Sequence, residues 1–162
     1  MDVMENIIHF EDYQVGQARK TPGRTVTEAD IVFHAGHSGD FYPHHVDCEF
    51  CKTQPFGQRI AHGTLTFLFA VGLQANFGRV AGHVEGYHRL RFIKPVFIGD
   101  TLTARLTVLQ KNSDGGSEGT VTEKCETINQ KDDLVFVMEQ TLRVRRRERE
   151  NSGPSKHPGR KG

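Results

Sequence analysis

The spacing of hydrophobic and polar positions changes along the chain, and the elements follow from it. Residues 17–26, QARKTPGRTV, suit a first strand, with Pro22 and Gly23 marking an edge or a bulge. Thr27 opens TEAD, a capping-box-like pattern with Asp in place of Glu, and predicts a helix over 28–37. Gly36 and Gly39 end it. A short helical or irregular piece is expected at 46–54. Residues 62–77, HGTLTFLFAVGLQANF, are apolar on nearly every side, through Leu65, Phe67, Leu68, Phe69, Ala70, Val71, Leu73 and Phe77. A helix with no polar face belongs in the middle of a fold.

Beyond this helix the period drops to two. Residues 87–93 set Leu90 and Phe92 against Arg89 and Arg91. Residues 101–109 place Leu102, Ala104, Leu106 and Val108 on one face, and residues 133–145 place Leu134, Phe136, Met138, Leu142 and Val144 on one face. Residues 119–128 alternate more weakly. NSDGG at 112–116 and NQKDD at 129–133 read as turns between consecutive strands. The predicted architecture is α+β: an antiparallel sheet of about five strands wrapped around one long buried central helix. One such unit leaves the helix partly bare on its far side, which predicts a homodimer with a continuous sheet.

A length of 162 residues fits one domain, expected over 1–145, with a basic flexible tail over 146–162. Net charge is +1, but the distribution is uneven. From Arg143 onward there are eight Lys/Arg and two Asp/Glu, which leaves a formal −5 on the preceding residues. The basic end could be an anion-binding arm; a solvated tail without nucleic-acid partner is the reading adopted, because no aromatic residue is interleaved there. Three cysteines make no even framework and fit a reducing compartment. The N-terminus is acidic where a signal peptide needs positive charge, and FLFAVGL is too short to span a bilayer. These features give the expectation of a cytoplasmic protein away from the membrane.

The candidate chemistry centres on SGDFYPHH at 38–45. Pro43 fixes its own φ and biases Tyr42 to an extended form, so the loop is stiff where Asp40 and His45 must be aimed. An acid and an imidazole brought onto one water can take its proton and return one to a product. Asp40 as a cap and His45 as a packed ring is the alternative. AHG at 61–63 precedes the apolar helix, so the amides of Gly63 and Thr64 are candidates to hold an oxyanion at the positive end of the dipole. Gly63 relieving crowding is the bland account. His44, His45, Cys48 and Cys51 have CxxC spacing, but the order is wrong for a zinc finger and no second CxxC exists, so no metal is expected. NSDGGSEG lacks GK[ST] and a following helix, so it is a hairpin turn rather than a phosphate loop. Arg89 and Arg91 share a strand face and could meet phosphates, or could simply be solvated.

SGDFYPHHVD, followed by PFGQRIAHGTL and then LRFIKPVFIGDTL, resembles the MaoC-like dehydratase family, which includes the R-specific enoyl-CoA hydratases. The resemblance covers residues 10–145. It implies a hot-dog fold, dimers through the sheet edge, and reversible addition of water to a trans-2-enoyl thioester. Residue by residue it implies Asp40 and His45 in the catalytic positions and the Gly63 amide at the thioester carbonyl, with Tyr42, Ser38 and His62 beside the substrate. Coenzyme A enters as part of the substrate, with no separate cofactor. Two departures stand out: Tyr42 where the family has Asn, and His44 where it has an aliphatic residue. Other readings are a hot-dog thioesterase, or a non-catalytic acyl-CoA-binding subunit.

Overall fold

The structure, a computed structural model, describes residues 7–75, 79–113 and 115–147. The strands are β1 (Ile7–Ile8), β2 (Ala18–Lys20), β3 (Arg24–Thr25), β4 (Arg79–Val80), β5 (Gly82–Phe92), β6 (Thr101–Asn112), β7 (Glu118–Ile128) and β8 (Leu134–Arg145). The helices are α1 (Glu28–Ser38), α2 (Pro43–Val46), α3 (Cys48–Lys52) and α4 (Gly63–Gln74). The main sheet runs in the order β2-β6-β7-β8-β5, every pair antiparallel. The single strand expected at 17–26 is two short ones, both paired with β6, because Pro22 offers no N–H to the ladder. The parallel pair β1–β4 was not foreseen; each strand is two residues long, too short to show a period.

Capping explains the position of α1. Thr27 Oγ1 accepts from the Asp30 amide, and Asp30 Oδ2 accepts from the Thr27 amide at 2.8 Å. Gly39 closes the helix in the left-handed region, at φ 75°, which a side chain would strain. Gly82 is fixed by a different constraint: a Cβ there would lie 1.9 Å from the Arg143 carbonyl oxygen of the neighbouring strand.

The core has two parts. In the larger, Leu65, Phe69, Ala70 and Leu73 of α4 pack on Leu102 and Ala104 of β6, Cys125 of β7 and Phe136 and Met138 of β8. Full burial of each Leu or Phe contributes about 1.5–3 kcal/mol. In the smaller, Phe10 and Tyr13 pack on Val108, Val121, Leu142 and Val144. At the seam sits a polar chain. Glu123, fully buried, receives Arg19 at 2.6 and 3.0 Å and the Gln140 amide at 2.9 Å. Gln140 Nε2 also donates to Gln74 Oε1 at 2.7 Å. Glu123 and Gln140 face each other in register across β7 and β8. Their polar side chains on the inner face are why residues 119–128 alternate weakly in sequence.

The central helix has a bare side, as the one-unit reading anticipates. Thr64, Leu68, Gly72 and Ala75 are exposed, Leu68 by 52%. Phe77, included in the expected helix, lies outside the described residues. The neighbouring edge strand β5 pairs only with β8 among the described residues and carries exposed Val84 and Phe92, with Ile93 just beyond it. Of the expected tail, Arg146 and Arg147 are held: Arg146 Nε reaches Glu11 at 3.2 Å, and Arg147 Nη2 reaches Asp12 at 2.6 Å. The remaining tail residues lie outside the described range.

Candidate active site

The loop carrying Asp40 and His45 is more regular than its composition suggests. Pro43 takes the first position of α2, where its missing N–H is not needed, and Tyr42 before it is extended at ψ 138°. His44 and His45 therefore stand on a helical turn. The segment ahead of α4 is laced to that turn. The Ile60 amide donates to the His44 carbonyl at 3.1 Å, and the Ile60 carbonyl accepts from His45 Nδ1 at 2.9 Å.

That second bond fixes the tautomer of the neutral His45 ring. A carbonyl only accepts, so Nδ1 carries the proton, and Nε2 of the neutral ring presents a lone pair. It faces Asp40 Oδ2 at 3.9 Å. Two acceptors at that separation do not bond to each other. They suit one water that donates a proton to each. The Asp40 side chain is 51% exposed and that of His45 only 12%, so the acid meets solvent while the imidazole is held by protein. Asp40 Oδ1 accepts from the Tyr42 amide at 3.2 Å, which orients the carboxylate.

His62, 1% exposed, ties this loop to α4. Its Nε2 donates to the Asp40 backbone carbonyl at 3.0 Å, and its ring stacks under His45 at 3.7 Å and 23°. His34, on α1, completes the pile at 4.7 Å from His62, with Nε2 2.8 Å from Thr64 Oγ1. Burial, and then the neighbouring His62, push the His34 pKa down. Asp40, His45 and His62 also bring possible ligand atoms within 4.8 Å of one another. Nδ1 of His45 and Nε2 of His62 are already engaged by the Ile60 and Asp40 carbonyls.

His62 is the N-cap of α4, which makes Gly63 and Thr64 its first helical residues. Their amides have no intrahelical acceptor and sit at the positive end of the dipole. Beside them opens a cavity of about 330 Å³ whose lining includes Gly63, Thr66, Phe92, Lys94, Val96 and Val135. The Phe92 ring lies against Gly63, 3.2 Å from where a Cβ would stand.

Ser38, Tyr42 and His62, expected beside the substrate, are in the lining of neither this cavity nor the one at the other end of α4. Ser38 Oγ donates to the His34 carbonyl at 2.7 Å and accepts from the Asp40 amide at 3.2 Å, so it braces the loop. Tyr42, 56% exposed, meets the His44 ring edge-on at 4.8 Å. His44 turns away from Asp40 into Tyr42, Phe50 and Phe56. Cys51 is buried with its thiol on the Pro43 and His44 carbonyls, and burial pushes its pKa up; Cys48 is exposed. These residues form no metal group with His45. Arg89 sits in a bulge at φ 53° and pairs with Glu139 at 2.9 Å. The sequence reading gave no site role to His34, Phe92 or Lys94. His34 falls in no motif, and Phe92 and Lys94 stood in a quoted motif only as strand residues; the fold brings them to the helix start.

The MaoC-like domain model matches residues 11–130, and the chain belongs to that family. It is 42% identical over 104 residues to the protein MaoC of Klebsiella aerogenes, 64% of this chain but 31% of that protein. It is 38% identical over 109 residues to an (R)-specific enoyl-CoA hydratase of Rhodospirillum rubrum, covering 67% of this chain and 75% of the relative. The crystal structure of a MaoC-like dehydratase from the same organism superposes with a TM-score of 0.78 at 28% identity, over 87% of this chain and 99% of that one. The fold is the hot-dog fold, shared with a double hot-dog protein of Mycobacterium tuberculosis (TM-score 0.73, 25% identity, 92% of this chain and 47% of that one). No helix among the described residues is long and apolar enough to cross a membrane.

Proposed function

We propose that the chain is a hydratase or dehydratase of acyl thioesters, adding water reversibly to a trans-2-enoyl-CoA. The observation that carries this is the pair of facing acceptors, Asp40 Oδ2 and His45 Nε2, 3.9 Å apart beside the bare amides that start α4. A water between them has its oxygen lone pairs free for C3 of the enoyl group. As that C–O bond forms, the pair takes a proton from the water, Asp40 as base and His45 as its partner. The C2–C3 π electrons move onto the thioester oxygen, which the Gly63 amide stabilises. The enolate collapses as a proton from the same pair adds at C2. One water is consumed, and the thioester bond is untouched. In reverse, the pair removes the C2 proton and protonates the departing hydroxyl. The thioester carbonyl is the electron sink, so every step uses this chain's own groups. The names of relatives, (R)-specific enoyl-CoA hydratase and 3-hydroxybutyryl-CoA dehydratase, point the same way.

The assay is loss of enoyl-thioester absorbance with crotonyl-CoA and longer or branched enoyl-CoAs, run beside detection of free thiol. Hydration without thiol release is expected. Thiol release would indicate a thioesterase, and binding of acyl-CoA without turnover of any thioester would leave an acyl-CoA-binding subunit.

The working unit in this proposal is a homodimer. The open edge of β5, eleven residues long, and the exposed apolar Leu68, Val84, Phe92 and Ile93 are what a second copy would cover. Sedimentation should give twice the chain mass, and Val84→Lys should shift it toward the monomer. A monomeric wild type at micromolar concentration contradicts the dimer.

A further inference from the structure

A second cavity, of about 250 Å³, lies at the other end of α4 from the candidate active site. Its walls are largely apolar, with Ile8, Val71, Val80, Val84 and Leu142 among them, and Arg19 and His83 also line it. Its polar lining includes Gln74 and Gln140, the latter 2% exposed and part of the buried chain that ends on Glu123 and Arg19. The orientation of that chain is determined throughout. The Glu123 carboxylate only accepts, so the Gln140 atom facing it is the amide nitrogen. The same Nε2 donates to Gln74 Oε1, and Gln74 Nε2 in turn donates to the Ala70 carbonyl at 2.9 Å. One strong acceptor is left over. Among the described residues none donates a hydrogen bond to Gln140 Oε1, and it is not sealed away from the cavity.

We propose that this cavity is a subsite for an apolar chain carrying a hydroxyl at its far end, with Gln140 Oε1 as the acceptor of that hydroxyl. The inference rests on the thioester reading for the identity of the chain: the ligand would be an acyl thioester whose acyl group bears a distal hydroxyl. Val71 is eight residues along α4 from Gly63, about 12 Å at the helical rise, so an acyl chain anchored by its carbonyl at Gly63 and following the helix arrives there. Phe67, one turn before Val71, meets the Tyr87 ring edge to face at 5.0 Å, and Tyr87 lines the cavity. A plain alkyl end would strip water from Gln140 Oε1 and leave a buried acceptor without a partner. A hydroxyl restores the bond. Sites built to satisfy a hydroxyl discriminate strongly against its absence, because the penalty falls on the protein's own unpaired group.

Two measurements on the full chain test this. In the first, 1-hexanol is titrated while the side-chain NH₂ signals of Gln74 and Gln140 are followed by 15N-edited NMR. Both should shift in wild type and neither in Val71→Phe, which fills the cavity without touching the polar chain. In the second, calorimetry compares octanoyl-CoA with 8-hydroxyoctanoyl-CoA, neither of which can be hydrated. The hydroxylated ester should bind about tenfold more tightly to wild type, and Gln140→Leu should abolish or invert the preference. Hexanol that leaves Gln140 unmoved, or octanoyl-CoA binding at least as tightly as its hydroxyl analogue, overturns the subsite. Turnover of crotonyl-CoA without any hydroxyl preference overturns the subsite alone. Hexanol binding at Gln140 with neither ester bound supports the subsite and overturns the thioester reading.

Discussion

Glu123→Ala is the substitution whose cost can be worked most fully from the structure. The carboxylate is wholly buried and holds three hydrogen bonds, two from Arg19 and one from Gln140. Removing it leaves the Arg19 guanidinium, 22% exposed, without its counter-charge, and leaves Gln140 with one acceptor fewer. Breaking a buried ion pair from one side costs about 3–5 kcal/mol, and partial exposure of Arg19 argues for the lower end. Against a total stability of about 5–15 kcal/mol that is a large fraction. For a domain of this size it lowers Tm by roughly 6–20 °C. Urea unfolding and calorimetry would measure it. The double replacement Arg19→Met with Glu123→Leu should recover most of the loss, since it removes both charges together. A Glu123→Ala protein within about 1 kcal/mol of wild type would refute the reasoning, because the pair would then be no more than a solvated surface contact.

Gly63→Ala should fold, since the nearest atoms to the new methyl belong to the half-exposed Phe92 ring at 3.2 Å, and stability should stay within about 1 kcal/mol of wild type. Its kcat/KM on an enoyl-CoA should fall if the thioester must approach the Gly63 amide closely, because the variant keeps that amide but places a methyl beside it; an unchanged value would show that no close approach at position 63 is needed. Glu11, bonded by the Arg147 backbone N–H and by Arg146, has its pKa lowered from 4.5 to about 2. A depressed carboxylate stabilises fully above 4.5 and loses that contribution as pH falls toward 2, so the stability gap between wild type and Glu11→Gln should be below about 1 kcal/mol at pH 7 and should close with acid. A gap that widens with acid would contradict the sign. His34 has a lowered pKa, so the unfolded chain binds its proton first. Stability should therefore drop as pH falls through the ordinary 6.5, and a His34→Gln variant should show a flatter profile between pH 7 and 5.

What the sequence revealed, and what it hid, follow from how local each feature is. Leu102, Ala104, Leu106 and Val108 alternate cleanly because β6 is covered on one face only. The Thr27–Asp30 box places α1 to within a residue. The loop of Asp40 and His45 is a contiguous motif, so it could be read without a fold. The 119–128 strand was blurred because its inner face carries buried Thr127 and Glu123, and Glu123 makes sense only with Arg19, more than a hundred residues away, in place. The histidine stack was invisible for the same reason. His34 and His62 lie on separate helices, and nothing in their local sequence says that α1 delivers one ring onto the other. The helical turn at Pro43–Val46 is four residues, shorter than any period can announce.

The central claim, that Asp40 and His45 act as one proton-transferring pair, is tested most directly by kcat/KM on the best enoyl-CoA for wild type, Asp40→Asn, His45→Gln and the double variant. The account predicts that each single change costs about 100- to 10,000-fold with the fold intact, and that the double costs little more than either single, because the two residues share one water. Single variants that keep most of the wild-type rate, or losses that simply multiply in the double, would contradict it.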